Sequence, residues 1–113
     1  MTTASDQDQV LHLDGESFPD ATAEGVTLVD FYADWCGPCR MLAPALEQLA
    51  ADLAGRARVA KVNVDGSPEL AARFGVSAIP LLVILKDGQE VKRLVGLPSA
   101  AALKAAVLSA GRV

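Results

Sequence analysis

Val26-Thr27-Leu28-Val29-Asp30-Phe31-Tyr32-Ala33-Asp34-Trp35-Cys36-Gly37-Pro38-Cys39 carries an apolar, β-branched and aromatic run straight into a pair of cysteines. Its first seven residues read as a buried strand. Beyond the pair, Leu42, Leu46, Leu49 and Leu53 recur at spacings of four, three and four, with Ala45 and Ala50 beside them, which is one face of an amphipathic helix. The cysteines therefore sit where a strand ends and a helix begins. At that point the unpaired N–H groups and the helix dipole favour negative charge and lower the pKa of a thiol, and Cys36 is better placed for this than Cys39. Pro38 suits the first helical turn, where its missing N–H costs nothing. Cys39 follows at a spacing that puts both sulfurs on one face and within bonding reach.

These are the only cysteines in the 113 residues. Read as a redox-active dithiol, the Cys36 thiolate attacks a disulfide in another protein to give a mixed disulfide. Cys39 then attacks the Cys36 sulfur, releases the reduced client and leaves the pair oxidised, in need of an electron donor. Two plainer readings compete. A structural zinc site needs four ligands, and besides the pair the chain offers only His12, far away in sequence. A purely structural disulfide would close so short a loop that it removes little entropy from the unfolded chain.

The segment from Val29 to Arg40, Val-Asp-Phe-Tyr-Ala-Asp-Trp-Cys-Gly-Pro-Cys-Arg, resembles the active-site segment of the thioredoxin family, and the likeness extends from about Val10 to Leu108. The resemblance implies an α/β thioredoxin fold, a central mixed β-sheet flanked by helices on both faces. It implies a protein-disulfide reductase with no bound cofactor and no metal, recharged by a thioredoxin reductase that draws on NADPH. It further implies that the bond before Pro80 is cis and that Pro80 faces the dithiol and orients the client's extended chain. Ala78 stands where glycine is commoner in the family and Leu81 where threonine is, which bears on client preference more than on chemistry. Arg40 replaces a frequent lysine and keeps a positive charge beside the thiolate.

Asp30 is the most informative residue outside the pair. A carboxyl inside Leu28-Val29-Asp30-Phe31-Tyr32 is buried at a cost unless it is protonated or paired, and burial raises its pKa. Poised in this way near Cys39, it can accept the proton as Cys39 attacks, directly or through a water, and the matching family position is assigned that role. Lys61, between Ala60 and Val62 in an apolar run, either partners Asp30 and tunes it or snorkels to solvent. Trp35 reads as a half-exposed plate beside the site. Together with Gly37, Pro38, Ala78, Ile79, Gly96 and Leu97 it forms a candidate apolar surface for client docking. His12, flanked by Leu11 and Leu13, reads as a structural or partly exposed residue.

The rest of the chain fits one domain over residues 9–113, preceded by a polar tail at 1–8 that lacks the apolar core of a signal peptide. Hydrophobic residues make up 51% of the composition, ample for a core. A net charge of −4, with no basic cluster, argues against nucleic acid as a partner. No apolar run reaches the length of about 18 residues that a membrane span requires. The chain is expected to act as a cytoplasmic monomer.

Val10 to Leu13 reads as a first strand ended by Asp14-Gly15, and Ser17 as the N-cap of a helix of a turn or two, stopped by Gly25. Pro44 interrupts the long helix, Gly55 closes it, and Arg58 to Asp65 reads as a strand. Ser67-Pro68-Glu69 opens a short helix to Phe74. Lys86-Asp87-Gly88-Gln89 is a hairpin turn before a last strand, Glu90 to Val95, whose alternation gives it one wet face. Ser99 caps a closing helix with Leu103, Ala106 and Val107 inward. This order, βαβα followed by a hairpin and a helix, is a mixed sheet covered on both faces. A thiol oxidase or isomerase shares the fold but holds its disulfide as an oxidant. Gly37-Pro38 and the missing export signal argue against it. A redox-silent module using this surface only for docking would leave the dithiol without a use.

Overall fold

The strand that leads into the cysteines lies at the centre of the sheet. In the computed structural model, which describes residues 9–112, the elements run β1 (Val10–Leu13), α1 (Phe18–Thr22), β2 (Val26–Tyr32), α2 (Gly37–Asp52), β3 (Ala57–Asn63), α3 (Pro68–Arg73), β4 (Leu81–Lys86), β5 (Gln89–Val95) and α4 (Ala100–Ala110). The segment 1–8 read above as a tail lies outside the described residues. Strand order is β1-β3-β2-β4-β5. β3 pairs parallel with both β1 and β2, whereas β4 runs antiparallel to β2 and to β5. The sheet is therefore mixed, as expected.

The alternation of side chains along β2 creates two cores. Val26 and Leu28 face α2 and α4, packing with Leu42, Leu46, Leu49, Leu53, Leu103 and Val107. Val29 and Phe31 face the other side, where Phe18, Leu70, Leu81, Val83 and Leu85 meet them. On that side Phe74 stacks edge-on against Phe18 at 5.6 Å and tilts over Phe31 at 5.4 Å, arrangements that suit the ring quadrupoles. Because both faces are covered, six of the seven β2 residues are buried.

Three local readings change. The first helix is organised by Asp14 rather than by a Ser17 side-chain cap: Asp14 Oδ1 accepts from the N–H groups of Glu16 and Ser17, and the Asp14 N–H donates to Ser17 Oγ at 3.0 Å. β3 ends at Asn63, because the Asn63 side chain turns the backbone by accepting from the N–H groups of Asp65 and Gly66. β5 has almost no buried face, since it is the sheet edge and only Leu94 packs inward. A bulge there leaves Val91 without a cross-strand partner.

The hairpin turn uses two residues with positive φ, Asp87 and Gly88, as a tight two-residue loop requires. Asp87 also ties down the start of β2: its carboxylate accepts from the Gly25 N–H at 2.8 Å, and its N–H donates to the Gly25 carbonyl. α2 runs without a break through Pro44. Leu46, at the middle of that helix, is fully buried against the sheet. Its replacement by alanine is expected to lower stability by about 2–5 kcal/mol in urea unfolding, whereas Val91→Ala on the exposed edge changes it by about 0.5 kcal/mol or less. Similar losses at the two positions would contradict this placement of the core.

Candidate functional site

The end of β2 delivers the chain to a turn at Ala33 to Trp35, where the Cys36 N–H donates back to the Ala33 carbonyl at 3.1 Å. Cys36 then takes an extended backbone conformation and becomes the N-cap of α2, with Gly37 and Pro38 in the first turn. In this place its sulfur does what a serine or aspartate oxygen does at other helix starts: Cys36 Sγ accepts from the Cys39 N–H at 3.3 Å. The two cysteines are joined as a disulfide with Cα atoms 5.3 Å apart. When the pair is reduced, the same N–H and the helix dipole favour a thiolate on Cys36.

Both cysteines are nearly covered. They form a small cluster with Ala33, against which Tyr32, Val64 and Ile79 pack. Ile79 precedes a cis peptide bond to Pro80, as the resemblance implied. The Gly96 N–H donates to the Pro80 carbonyl at 3.2 Å, with Gly96 at φ +94°, a conformation that suits glycine, so the end of β5 is held beside the Pro80 turn. Ala78 is exposed and Pro80 buried. Trp35 is more open than the sequence suggested, at 69% exposure, and Leu97 is also exposed.

Two contacts near the cysteines had no signal in the sequence. The Trp35 Nε1–H donates to Asp65 Oδ2 at 2.8 Å, so an acid read as part of a strand instead braces the indole. Arg40 Nη1 donates to the Asp34 carbonyl at 2.8 Å. Asp34, Arg40, Tyr32, Ala33, Cys39, Ala43 and Lys61 line an open cleft of about 450 Å³ that reaches from the second cysteine to β3.

Asp30 is completely buried, and among the described residues neither carboxylate oxygen has a hydrogen-bond partner. It lies on the α2 face of the sheet, two residues along β2 from Leu28 towards the cysteines. Burial raises its pKa from the usual 3.8 to about 7, with the positive charge of Lys61 pulling the other way. Lys61 stands directly opposite Asp30 in the β2–β3 register, yet the two form no ion pair among the described residues. The ammonium sits instead over the Tyr32 ring, 4.2 Å from its centre. His12 occupies the same row on β1 and is exposed. Among the described residues no group of three or more His, Cys, Asp or Glu is placed to hold a metal, and no helix is long and apolar enough to cross a membrane.

Comparison with known proteins places this geometry among relatives. A family model described as Thioredoxin matches residues 9–109. The chain is 54% identical over 82 residues to a thioredoxin of Chlamydia muridarum, spanning 73% of this chain and 79% of that protein. It is 47% identical over 87 residues to one from Staphylococcus saprophyticus, spanning 77% and 84%. A solved structure, that of a mutant thioredoxin from Halobacterium salinarum NRC-1, superposes with a TM-score of 0.89 at 41% identity and covers 98% of each chain.

The buried carboxyl makes stability depend on pH. The unfolded chain releases the Asp30 proton near 3.8, whereas the folded protein holds it to about 7. Ionisation of the carboxyl therefore adds no cost below the lower value and its full cost above the higher one, about 4 kcal/mol at roughly 1.4 kcal/mol per pH unit. Asp30→Asn, which cannot ionise, is expected to be more stable than the parent above pH 8, with the advantage shrinking to nothing near pH 4. Chemical unfolding across that range checks it, and a constant difference would show that Asp30 does not ionise late.

Proposed function

Because the chain belongs to the thioredoxin family, we propose that its dithiol–disulfide oxidoreductase activity is divided among Cys36 as attacking thiol, Cys39 as resolving thiol and Asp30 as proton acceptor. The redox-active group is the Cys36–Cys39 disulfide itself, and two electrons from NADPH reach it through a reductase, returning it to the dithiol. The observation that carries the division of roles is the Cys36 sulfur at the N-cap of α2, accepting the Cys39 N–H.

The Cys36 thiolate attacks one sulfur of a client disulfide. A Cys36–client bond forms, the client bond breaks, and the departing client sulfur takes a proton. Cys39 then loses its proton to the Asp30 carboxylate, directly or through water in the adjoining cleft, and attacks Cys36 Sγ. The Cys36–Cys39 bond forms as the second client thiolate leaves. The client gains two electrons and the pair loses two. Asp30 suits this task because its pKa of about 7 lets it take up and release a proton near neutrality. Lys61 tunes Asp30 through space. Pro80 and its cis bond orient the client's backbone, while Trp35, Gly37, Pro38, Ala78, Ile79, Gly96 and Leu97 give the client its docking surface. Exposure of Trp35 and Leu97 and the packing of Ile79 on the cysteine cluster support that surface.

In the same reading, residues 9–113 work as a single monomeric unit in the cytoplasm, a thioredoxin reductase supplies the electrons, and disulfide-bearing proteins are the clients. Kinship to the family supports each of these assignments.

Cys36→Ser is expected to abolish disulfide reduction, and Cys39→Ser to accumulate a mixed disulfide visible by mass spectrometry. Asp30→Asn slows the Cys39 attack on the order of 100-fold and flattens its rise through pH 7. Sustained turnover by Cys39→Ser would overturn the assignment of roles. A thiol/disulfide titration separates the rival oxidant reading: a reductant lies near −270 mV, the figure known for thioredoxin itself, and an oxidase or isomerase at about −120 to −180 mV.

A further inference from the structure

The side chain of Lys61 can turn to Asp30, to the Tyr32 ring or to solvent, and the fold holds it at the ring. Its Cα is the register partner of Asp30, so both side chains leave the sheet on the α2 face. Asp30 has two unpartnered oxygens there, and a four-carbon stem gives an ammonium ample reach. The ammonium nevertheless sits 4.2 Å from the centre of the Tyr32 ring and makes no ion pair with Asp30. Tyr32 is the residue two positions beyond Asp30 on β2, diagonal to Lys61, and it lines the same cleft as Cys39. Its ring face is the attractive surface that a cation meets on the way out of the sheet.

We propose that Tyr32 is a positioning residue for the resolving step: its ring fixes the Lys61 ammonium at a set distance from Asp30, close enough to act through space and too far to pair. This rests on the reading of Asp30 as the proton acceptor. A direct ion pair would hold Asp30 ionised and make it a weaker base towards Cys39, while an ammonium free in solvent would leave the carboxyl protonated at higher pH. The ring keeps the carboxyl between these limits.

The other charged groups around this face do not replace Lys61. His12 of β1 is in the same row but exposed, and lines an open cavity with Glu47 of α2. Arg40 of α2 is turned to the Asp34 carbonyl, with the Asp34 side chain exposed. β4 offers Leu82 opposite Asp30, and α4 packs Leu103 and Val107 on this face and carries Lys104 as its only charged residue.

The test follows the Asp30 carboxyl by carbon NMR against pH in the reduced protein, together with the pH profile of the Cys39 attack. Tyr32→Leu removes the ring face, and the ammonium relaxes into solvent. The Asp30 acid dissociation constant is then expected to fall about threefold or more, and the midpoint of the rate profile moves up with it. Tyr32→Phe and Tyr32→Trp keep a ring face and keep the parent value. In a Lys61→Met background, Tyr32→Leu has no further effect. An unchanged or increased constant in Tyr32→Leu overturns the proposal, and so does a shift that persists without Lys61. Should Tyr32→Leu fail to fold, the Lys61 side-chain protons of the parent decide: an upfield ring-current shift is expected, and its absence overturns the placement. A shifted carboxyl titration with no rate loss in Asp30→Asn would overturn the proton-acceptor role and leave the Tyr32–Lys61–Asp30 coupling standing.

Discussion

A carboxyl group in a strand that has helices on both faces is buried among apolar side chains, and β2 is that strand. The coverage that lets Leu28 and Phe31 contribute to two separate cores also buries Asp30 and leaves its carboxyl without a hydrogen-bond partner among the described residues. The folding gain of the apolar residues outweighs the cost of this one. What remains is a carboxyl whose pKa burial raises to about 7, on the face of the sheet that α2 covers. The raised carboxyl and the buried cysteine pair thus depend on the same packing that keeps the sheet together.

The second element of the site is set by backbone geometry. Cys36 is extended, whereas the residues after it are helical, and this change of direction frees the first N–H groups of α2. One of them points at Cys36 Sγ from the backbone of Cys39, so the two cysteines are linked even before the disulfide is considered. Gly37 and Pro38 fit because neither asks for space or a donor in that first turn. On the opposite side the Ile79–Pro80 turn, tied to Gly96, closes the wall against which Ile79 meets the sulfurs.

Much of this was legible in the sequence, for reasons that differ from residue to residue. The strand, the cysteine spacing and the leucine face of α2 follow from periodicity, and Asp30 was conspicuous because an acid interrupts an apolar run. The cis bond before Pro80 came from family likeness and not from local signals. Asp14 and Ser17 are both good cap residues, so which of them organises α1 depended on the turn between them. Asn63 ends β3 through a side-chain turn inside a stretch that otherwise reads as strand. The low burial of β5 reflects its place at the edge, which is a property of strand order and invisible in its own alternation. Tyr32 looked like one more strand aromatic, and only the register across to Lys61 shows what its ring faces.

The edge itself has a consequence for how such a protein meets others. A straight, seven-residue border strand with free backbone groups is an invitation to any extended chain, including another copy. Here the bulge at Val91 breaks the spacing, and Lys92 and Arg93 follow it at once. The border is thus crooked and charged where a ladder would need it flat and neutral. At this border of the sheet the fold thus blunts a place where pairing with a passing chain could start.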